Sequence, residues 1–90
     1  MAVKKTITIK NMTGLHARPA GMFCQLAQKF RSDVSIIRDD DPSVRINGKR
    51  ILSVLTGKLL CGTGITIICD GEDEQEAAQS LYSFIENLRE

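Results

Sequence analysis

The stretch that decides the fold lies near the start of the chain and reads Thr13-Gly14-Leu15-His16-Ala17-Arg18-Pro19-Ala20. It joins two segments of different hydrophobic periodicity. Upstream, Lys4–Ile9 alternates between two faces, as a half-buried strand does. Pro19 suits a first helical turn, because the N–H that proline lacks would have no partner there. Downstream, apolar residues recur at helical spacing, at Ala20, Phe23, Cys24, Ala27 and Phe30. The sequence therefore predicts that His16 lies at or just before a helix N-terminus.

His16 and Arg18 together predict an anion site at this helix end. Backbone N–H groups and the helix dipole favour negative charge there, and Arg18 adds a cation whose fork of donors suits phosphate oxygens. A neutral imidazole can accept a phosphoryl group and release it again, with the phosphate resting on the helix end without a metal. The alternative is a histidine that only caps the helix beside a surface arginine. The residues alone leave both open.

Composition narrows the class of protein. Ninety residues predict one domain, 1–90, with one modest core. A net charge of +1 argues against a nucleic-acid binder, which normally carries a basic stripe. No apolar run is long enough to span a membrane, and the chain enters its first strand without the apolar region of a signal peptide. We therefore expect a cytoplasmic protein.

The cysteines predict neither a zinc site nor a redox site. There are three, without C-x-x-C spacing, and the chain has one histidine. Cys24 lies on the apolar stripe of the first helix and Cys69 on the inward face of a strand, so both read as buried hydrophobes in a reducing compartment. We expect no metal and no cofactor.

The remaining pattern predicts an α+β fold in the order βαββαβα. Two strands, Val34–Arg38 and Val44–Ile46, form a hairpin around the loop Asp39–Ser43, and a short helix runs from Lys49 to near Gly57. After the strand Ile65–Cys69, the last helix begins near Asp73, with Glu76 in capping-box register. Its predicted buried stripe contains Ala77, Leu81, Phe84, Ile85 and Leu88. Each element has one apolar face, so we expect helices on one face of a sheet whose other face is open to water.

Residues 13–20 resemble the active-site signature of HPr, the histidine phosphocarrier of the sugar phosphotransferase system. The resemblance extends through Asp33-Val34, Lys49–Leu60, Gly64–Ile67 and the acidic start of the last helix. It implies a four-stranded antiparallel sheet in the order 1-4-2-3, covered on one face by three helices. It also implies a carrier that takes a phosphoryl group from phosphorylated enzyme I and passes it to enzyme IIA domains in sugar uptake. Such a carrier is not itself an enzyme, because its partners catalyse the transfers.

The resemblance assigns roles to the signature residues. His16 matches the phosphorylated histidine, which carries the phosphoryl group on Nδ1, and Arg18 matches the arginine that stabilises the phosphate. Thr13 matches a position often occupied by serine, and its hydroxyl is expected to cap the first helix. Gly14 matches the glycine that lets the chain turn beneath the histidine. Ala17 matches the small residue of the signature, so Thr13, Gly14 and Ala17 are expected to form the phosphate-binding helix end.

A second set of residues matches the surface that docks enzyme I and the enzyme IIA domains. Ordinary core packing is the alternative for its aliphatic members. A carrier that presents one such face to two partners in turn works most simply as a monomer. We call these residues the docking set: Met22, Phe23, Lys49, Arg50, Ile51, Leu52 and Leu55.

Two departures from the family pattern leave its function open. Arg50 stands where many Gram-positive relatives have a serine phosphorylated by a kinase, and Ser53 faces a different direction on the helix. The loop Asp39–Ser43 is predicted to be longer than usual, by an insertion of a few residues. Three hypotheses therefore remain: a sugar phosphocarrier, a regulatory phosphocarrier of a nitrogen-type branch, or a binding module whose histidine is never phosphorylated.

Overall fold

The computed structural model describes residues 2–89, so Met1 and Glu90, the two ends of the predicted domain, lie outside the described residues. The elements follow the predicted order βαββαβα. They are β1 Val3–Thr8, α1 Ala17–Gln28, β2 Asp33–Arg38, β3 Asp41–Asn47, α2 Ile51–Thr56, β4 Gly64–Asp70 and α3 Glu74–Glu86. All pairings are antiparallel and the strand order is β1-β4-β2-β3. This confirms the α+β fold and the sheet order that the family resemblance implied.

The core lies between the sheet and the helices. Alternation along β4 turns Ile65, Ile67 and Cys69 inward, where all three are fully buried. On the open face, the hydroxyls of Thr6 and Thr66 meet at 3.2 Å. α3 packs on β1 and β4, and α1 packs against α2 and α3. Each layer thus buries the one apolar face that its periodicity predicted.

The predicted burial of Cys24 and Cys69 is confirmed. Burial raises the pKa of both thiols, and raises that of Cys69 to about 11. Both thiols therefore stay protonated and unreactive near neutral pH. Cys61 is exposed.

The prediction of a five-residue loop at Asp39–Ser43 is wrong. β2 ends at Arg38 and β3 begins at Asp41, so only two residues form the turn. Arg38 pairs with Asp41 while Ile37 pairs with Arg45, so residues 42–44 form a bulge in β3. A bulge absorbs the extra length because β3 is an edge strand, where a proline does not interrupt a ladder on both sides.

The start of α3 also differs from the prediction in one respect. Asp73 is the N-cap residue, but its side chain makes no capping hydrogen bond, so its half of the predicted capping box is absent. Its carboxylate accepts hydrogen bonds from the N–H of Arg31 at 2.8 Å, and from the N–H and Oγ of Ser32 at 3.0 and 2.6 Å. Asp73 therefore joins the segment after α1 to the start of α3.

We expect Asp73 to make the free energy of unfolding depend on pH below about pH 4. The hydrogen bond from Ser32 Oγ, with those from the backbone, lowers the pKa of Asp73 from the usual 3.8 to about 2. The carboxylate is thus easier to ionise in the folded chain than in the unfolded one. Its stabilising contribution is complete above about pH 4 and is lost as the pH falls toward about 2.

Urea unfolding of the wild type and of Asp73→Asn across this pH range measures that contribution. The variant should lose less of its free energy of unfolding on acidification, and Ser32→Ala, which removes the strongest single donor, should behave in between. Equal pH dependence of the wild type and Asp73→Asn would contradict this assignment.

Candidate functional site

His16 occupies the N-cap position of α1, with extended backbone at φ −116° and ψ 154°. This confirms the placement predicted from periodicity and Pro19. The side chains of His16, Ala17 and Arg18 are exposed, and the first turn of α1 contains no acidic residue. Backbone N–H groups at a helix start, together with the dipole, favour an anion. This end of α1 can therefore hold a phosphate-sized anion beside an imidazole and a guanidinium.

The residues just before His16 hold the loop to the body of the protein. The side chain of Leu15 is 3% exposed and lies in the core, and its backbone N–H donates to Leu59 O at 2.8 Å. Gly14 has φ +64°, and a Cβ on it would lie 2.9 Å from Leu60 Cα. The expected need for glycine beneath the histidine is confirmed, and the cause is the close approach of the Leu59–Cys61 backbone.

Ala17, just after His16, has a strained backbone. Its φ of +34° is unusual for a residue with a side chain, and such conformations cost about 1–3 kcal/mol. Buried Leu15 before it and buried Pro19 and Ala20 after it hold the chain in this conformation. The strain thus lies at the peptide that follows the candidate phosphoryl acceptor.

Thr13 does not cap α1 in the way expected. The N-cap residue is His16, three positions further along the chain, and Thr13 lies in the preceding turn. The amide of Asn11 donates to Thr13 Oγ1 at 3.4 Å. Its position in the turn leaves Thr13 exposed near the helix start.

The structure divides the docking set. Its exposed members are Met22, Arg50, Ile51 and Leu52, of which Leu52 is 69% exposed. Ile51 Cδ1 lies 3.7 Å from the position that a Cβ on Gly21 would take, so this end of α2 lies against α1.

The other three members of the docking set are buried or half-buried and contribute to packing or to hydrogen bonds within the fold. Phe23 does not belong to any surface, because it is fully buried with its ring edge-on to Phe84 at 6.0 Å between centroids. Leu55 is half-buried against the core. Lys49 is half-buried, and its Nζ donates to Phe30 O at 2.7 Å, which joins the end of α1 to the start of α2.

The sequence reasoning missed three residues beside the histidine loop. Met12 and Leu60 are 90% and 60% exposed on the two segments that meet at Gly14. Asn11 is 6% exposed, and its Nδ2 donates to Gly14 O at 2.8 Å. Asparagine two residues beyond a strand pattern and three before a glycine is a turn signal that could have identified Asn11.

Within residues 2–89, no group of three or more His, Cys, Asp and Glu side chains is arranged to hold a metal ion. Among the described helices, none has the length and apolar character needed to cross a membrane.

The sequence model of the PTS-HPr family, described as the PTS HPr component phosphorylation site, matches residues 3–87. The chain belongs to the HPr family. It is 40% identical over 84 residues to the HPr-like protein Crh of Halalkalibacterium halodurans, covering 93% of this chain and 96% of that one. It is 33% identical to the phosphocarrier protein HPr of Treponema pallidum, covering 94% and 93% of the two chains. The crystal structure of HPr-C-His from Thermoanaerobacter tengcongensis matches with a TM-score of 0.86 at 38% identity, covering 93% of this chain and 91% of that one.

We expect Gly14→Ala to destabilise this HPr fold by at least about 2 kcal/mol, because the new Cβ adds overpacking to the cost of a positive φ. Gly62→Ala is the matched control. Gly62 also has a positive φ, +90°, but a Cβ there would meet nothing within 4 Å, so only the conformational cost of about 1 kcal/mol applies. Chemical denaturation measures both, and equal losses would show that the contact with the Leu59–Cys61 segment does not matter.

Proposed function

We propose that this HPr-family protein is a phosphocarrier, which accepts a phosphoryl group on His16 from phosphorylated enzyme I and passes it to enzyme IIA domains in sugar uptake. The observation that carries the proposal is the exposed His16 at the N-cap of α1, with exposed Arg18 two residues on and no carboxylate in the first turn. The protein is a substrate and donor rather than an enzyme, and it acts as a cytoplasmic monomer.

The transfer is a displacement at phosphorus. The lone pair of the neutral imidazole, on Nδ1 by family resemblance, forms a bond to phosphorus while the bond from phosphorus to the donor breaks. The charged phosphoryl oxygens then lie against the helix N-terminus and the Arg18 guanidinium, which stabilise them. The same step in reverse passes the group to the next acceptor. Because Gly14 is buried, its part is to shape the turn, whereas the exposed Thr13, Ala17 and Arg18 would border the phosphate.

The exposed members of the docking set would form the contact with both partners. Ile51 and Leu52 present apolar surface on α2, and Arg50 adds a cation at its start. A carrier must release each partner after transfer, so a small contact with a few apolar anchors suits it better than a large interface.

A regulatory role is the second candidate. The chain resembles an HPr-like protein Crh as well as phosphocarrier HPr proteins. By family resemblance, Arg50 stands where many Gram-positive relatives have a kinase-regulated serine. Ser53 is a poor substitute for that serine, because it is half-buried and its Oγ accepts a hydrogen bond from the Asn47 N–H at 2.9 Å. This candidate keeps the histidine chemistry but moves no sugar. The third hypothesis is a binding module whose histidine is never phosphorylated and whose surface on α2 binds a partner.

Incubation with phosphoenolpyruvate and a heterologous enzyme I, followed by intact-mass measurement, tests the proposal. We expect one acid-labile phosphoryl group on the wild type and none on His16→Ala, because His16 is the only histidine in the chain. Circular dichroism should show both proteins folded, since the His16 side chain is exposed.

Labelling of a control HPr but not of this protein would contradict the carrier role and favour a binding module. If the label forms, adding purified enzyme IIA domains separates the two carrier roles. Transfer of the phosphoryl group to a sugar-specific IIA domain supports sugar uptake. Transfer to a nitrogen-type IIA domain, without transfer to a sugar-specific one, supports regulation.

We expect Leu52→Asp to raise the KM of enzyme I for this protein by at least about 10-fold, because it removes an apolar anchor at an interface. Val44→Asp is the matched control, since Val44 is a 52% exposed aliphatic residue in the β3 bulge, outside the docking set. Steady-state labelling with increasing carrier concentration gives both values. Equal KM values for the two variants would show that Leu52 does not contact enzyme I.

A further inference from the structure

Asn11 is one of two buried polar residues among those described, with 6% of its surface exposed. It lies in the loop between β1 and α1, five residues before His16. Its backbone O accepts a hydrogen bond from the Gly14 N–H at 3.2 Å, and its side-chain Nδ2 donates to Gly14 O at 2.8 Å. Two hydrogen bonds thus join the same two residues and close the turn 11–14 at its base.

The second of these bonds acts on the peptide that leads into the histidine. The peptide between Gly14 and Leu15 has its carbonyl held by Asn11 Nδ2 and its N–H held by Leu59 O at 2.8 Å. With both polar groups held and the Leu15 side chain buried, the plane of this peptide cannot rotate freely. Between this peptide and the Cα of His16, the only rotatable backbone bonds are those of Leu15 and His16. The orientation of the peptide plane therefore helps to set the direction in which the imidazole points.

We infer that Asn11 is a positioning residue for phosphoryl transfer, which holds the Gly14–Leu15 peptide so that the His16 imidazole lies in line with the helix N-terminus and Arg18. The inference rests on the proposed function. Asn11 lies in the loop before the helix, and its effect on the imidazole passes through the buried hydrogen bond from its Nδ2 to Gly14 O. Displacement of a reacting group by about 1 Å can slow a reaction by about 100-fold, so a small rotation of this peptide is enough to matter.

Asn11→Ala removes the donor to Gly14 O, together with the longer hydrogen bond to Thr13 Oγ1. Asn11→Asp replaces the donor with an acceptor of similar shape that repels the carbonyl. Asn87→Ala is the matched control. The Asn87 Nδ2 also donates to a backbone carbonyl, that of Ser83 at 2.9 Å, but at the far end of α3. The readout is the rate of labelling by enzyme I and phosphoenolpyruvate over a range of carrier concentrations, with each variant's fraction folded measured by circular dichroism.

We expect both Asn11 variants to lower kcat by about 10-fold or more while KM stays within about twofold, because the docking set is unchanged. Asn11→Asp should lose at least as much as Asn11→Ala, and Asn87→Ala should match the wild type. An unchanged kcat in a folded Asn11 variant would overturn the inference, as would an equal loss in Asn87→Ala. If both Asn11 variants fail to fold, Asn11 is a residue of the fold alone and the inference is also overturned. A wild type that takes no label would instead overturn the proposed function, and the positioning role with it.

Discussion

The candidate site depends on one close approach between two segments that are distant in sequence. The backbone of Gly14 and Leu15 lies directly on Leu59 and Leu60, with one hydrogen bond of 2.8 Å between the segments. Only a residue without a Cβ fits at this point, and its positive φ turns the chain toward α1. The contact gives an exposed histidine a rigid base, which an isolated loop could not provide.

The exposed and buried residues near the site have different tasks. His16 and Arg18 lie in solvent, where a partner can reach them, while Leu15 on one side and Pro19 on the other are buried. The chain contains no aspartate or glutamate before Asp33, so neither the loop before α1 nor the first turn of α1 carries an acidic residue. The backbone N–H groups and the dipole at this helix start favour an anion there.

The short helix α2 is stabilised by its neighbours rather than by its own length. Six residues are too few for a stable isolated helix. Its own Val54 is buried in the core, and the Arg38 guanidinium donates to Gly57 O at its end at 3.2 Å. The hydroxyl of its Ser53 accepts a hydrogen bond from the N–H of Asn47, which precedes the helix. Because these contacts use the inner side of α2, Leu52 on its outer side stays exposed, and Ile51, which lies beside α1, stays partly exposed.

Local pattern was enough to predict the elements, their order and the position of His16, because burial of one face imposes a period on each strand and helix. It also predicted the buried cysteines. It could not predict that the three extra residues of the hairpin form a bulge in β3. Composition marks Pro42 as unfavourable for a strand, but it does not show that β3 is an edge strand, where a proline is tolerated. Nor could it place the Asp73 carboxylate on Ser32, 41 residues away, because no local rule reports a partner at that distance.

The site shows the same division. The sequence by itself determined that a histidine, an arginine and a proline begin a helix, since spacing and the chemistry of proline act within a few residues. It did not exclude Phe23 from the docking set, although the apolar stripe of α1 already predicted its burial. The turn that joins Asn11 to Gly14 is local, and the sequence around it carries a turn signal. Only the tertiary structure decided that Leu59 holds Leu15, because that bond requires two segments to meet whose separation in sequence carries no information about their distance in space.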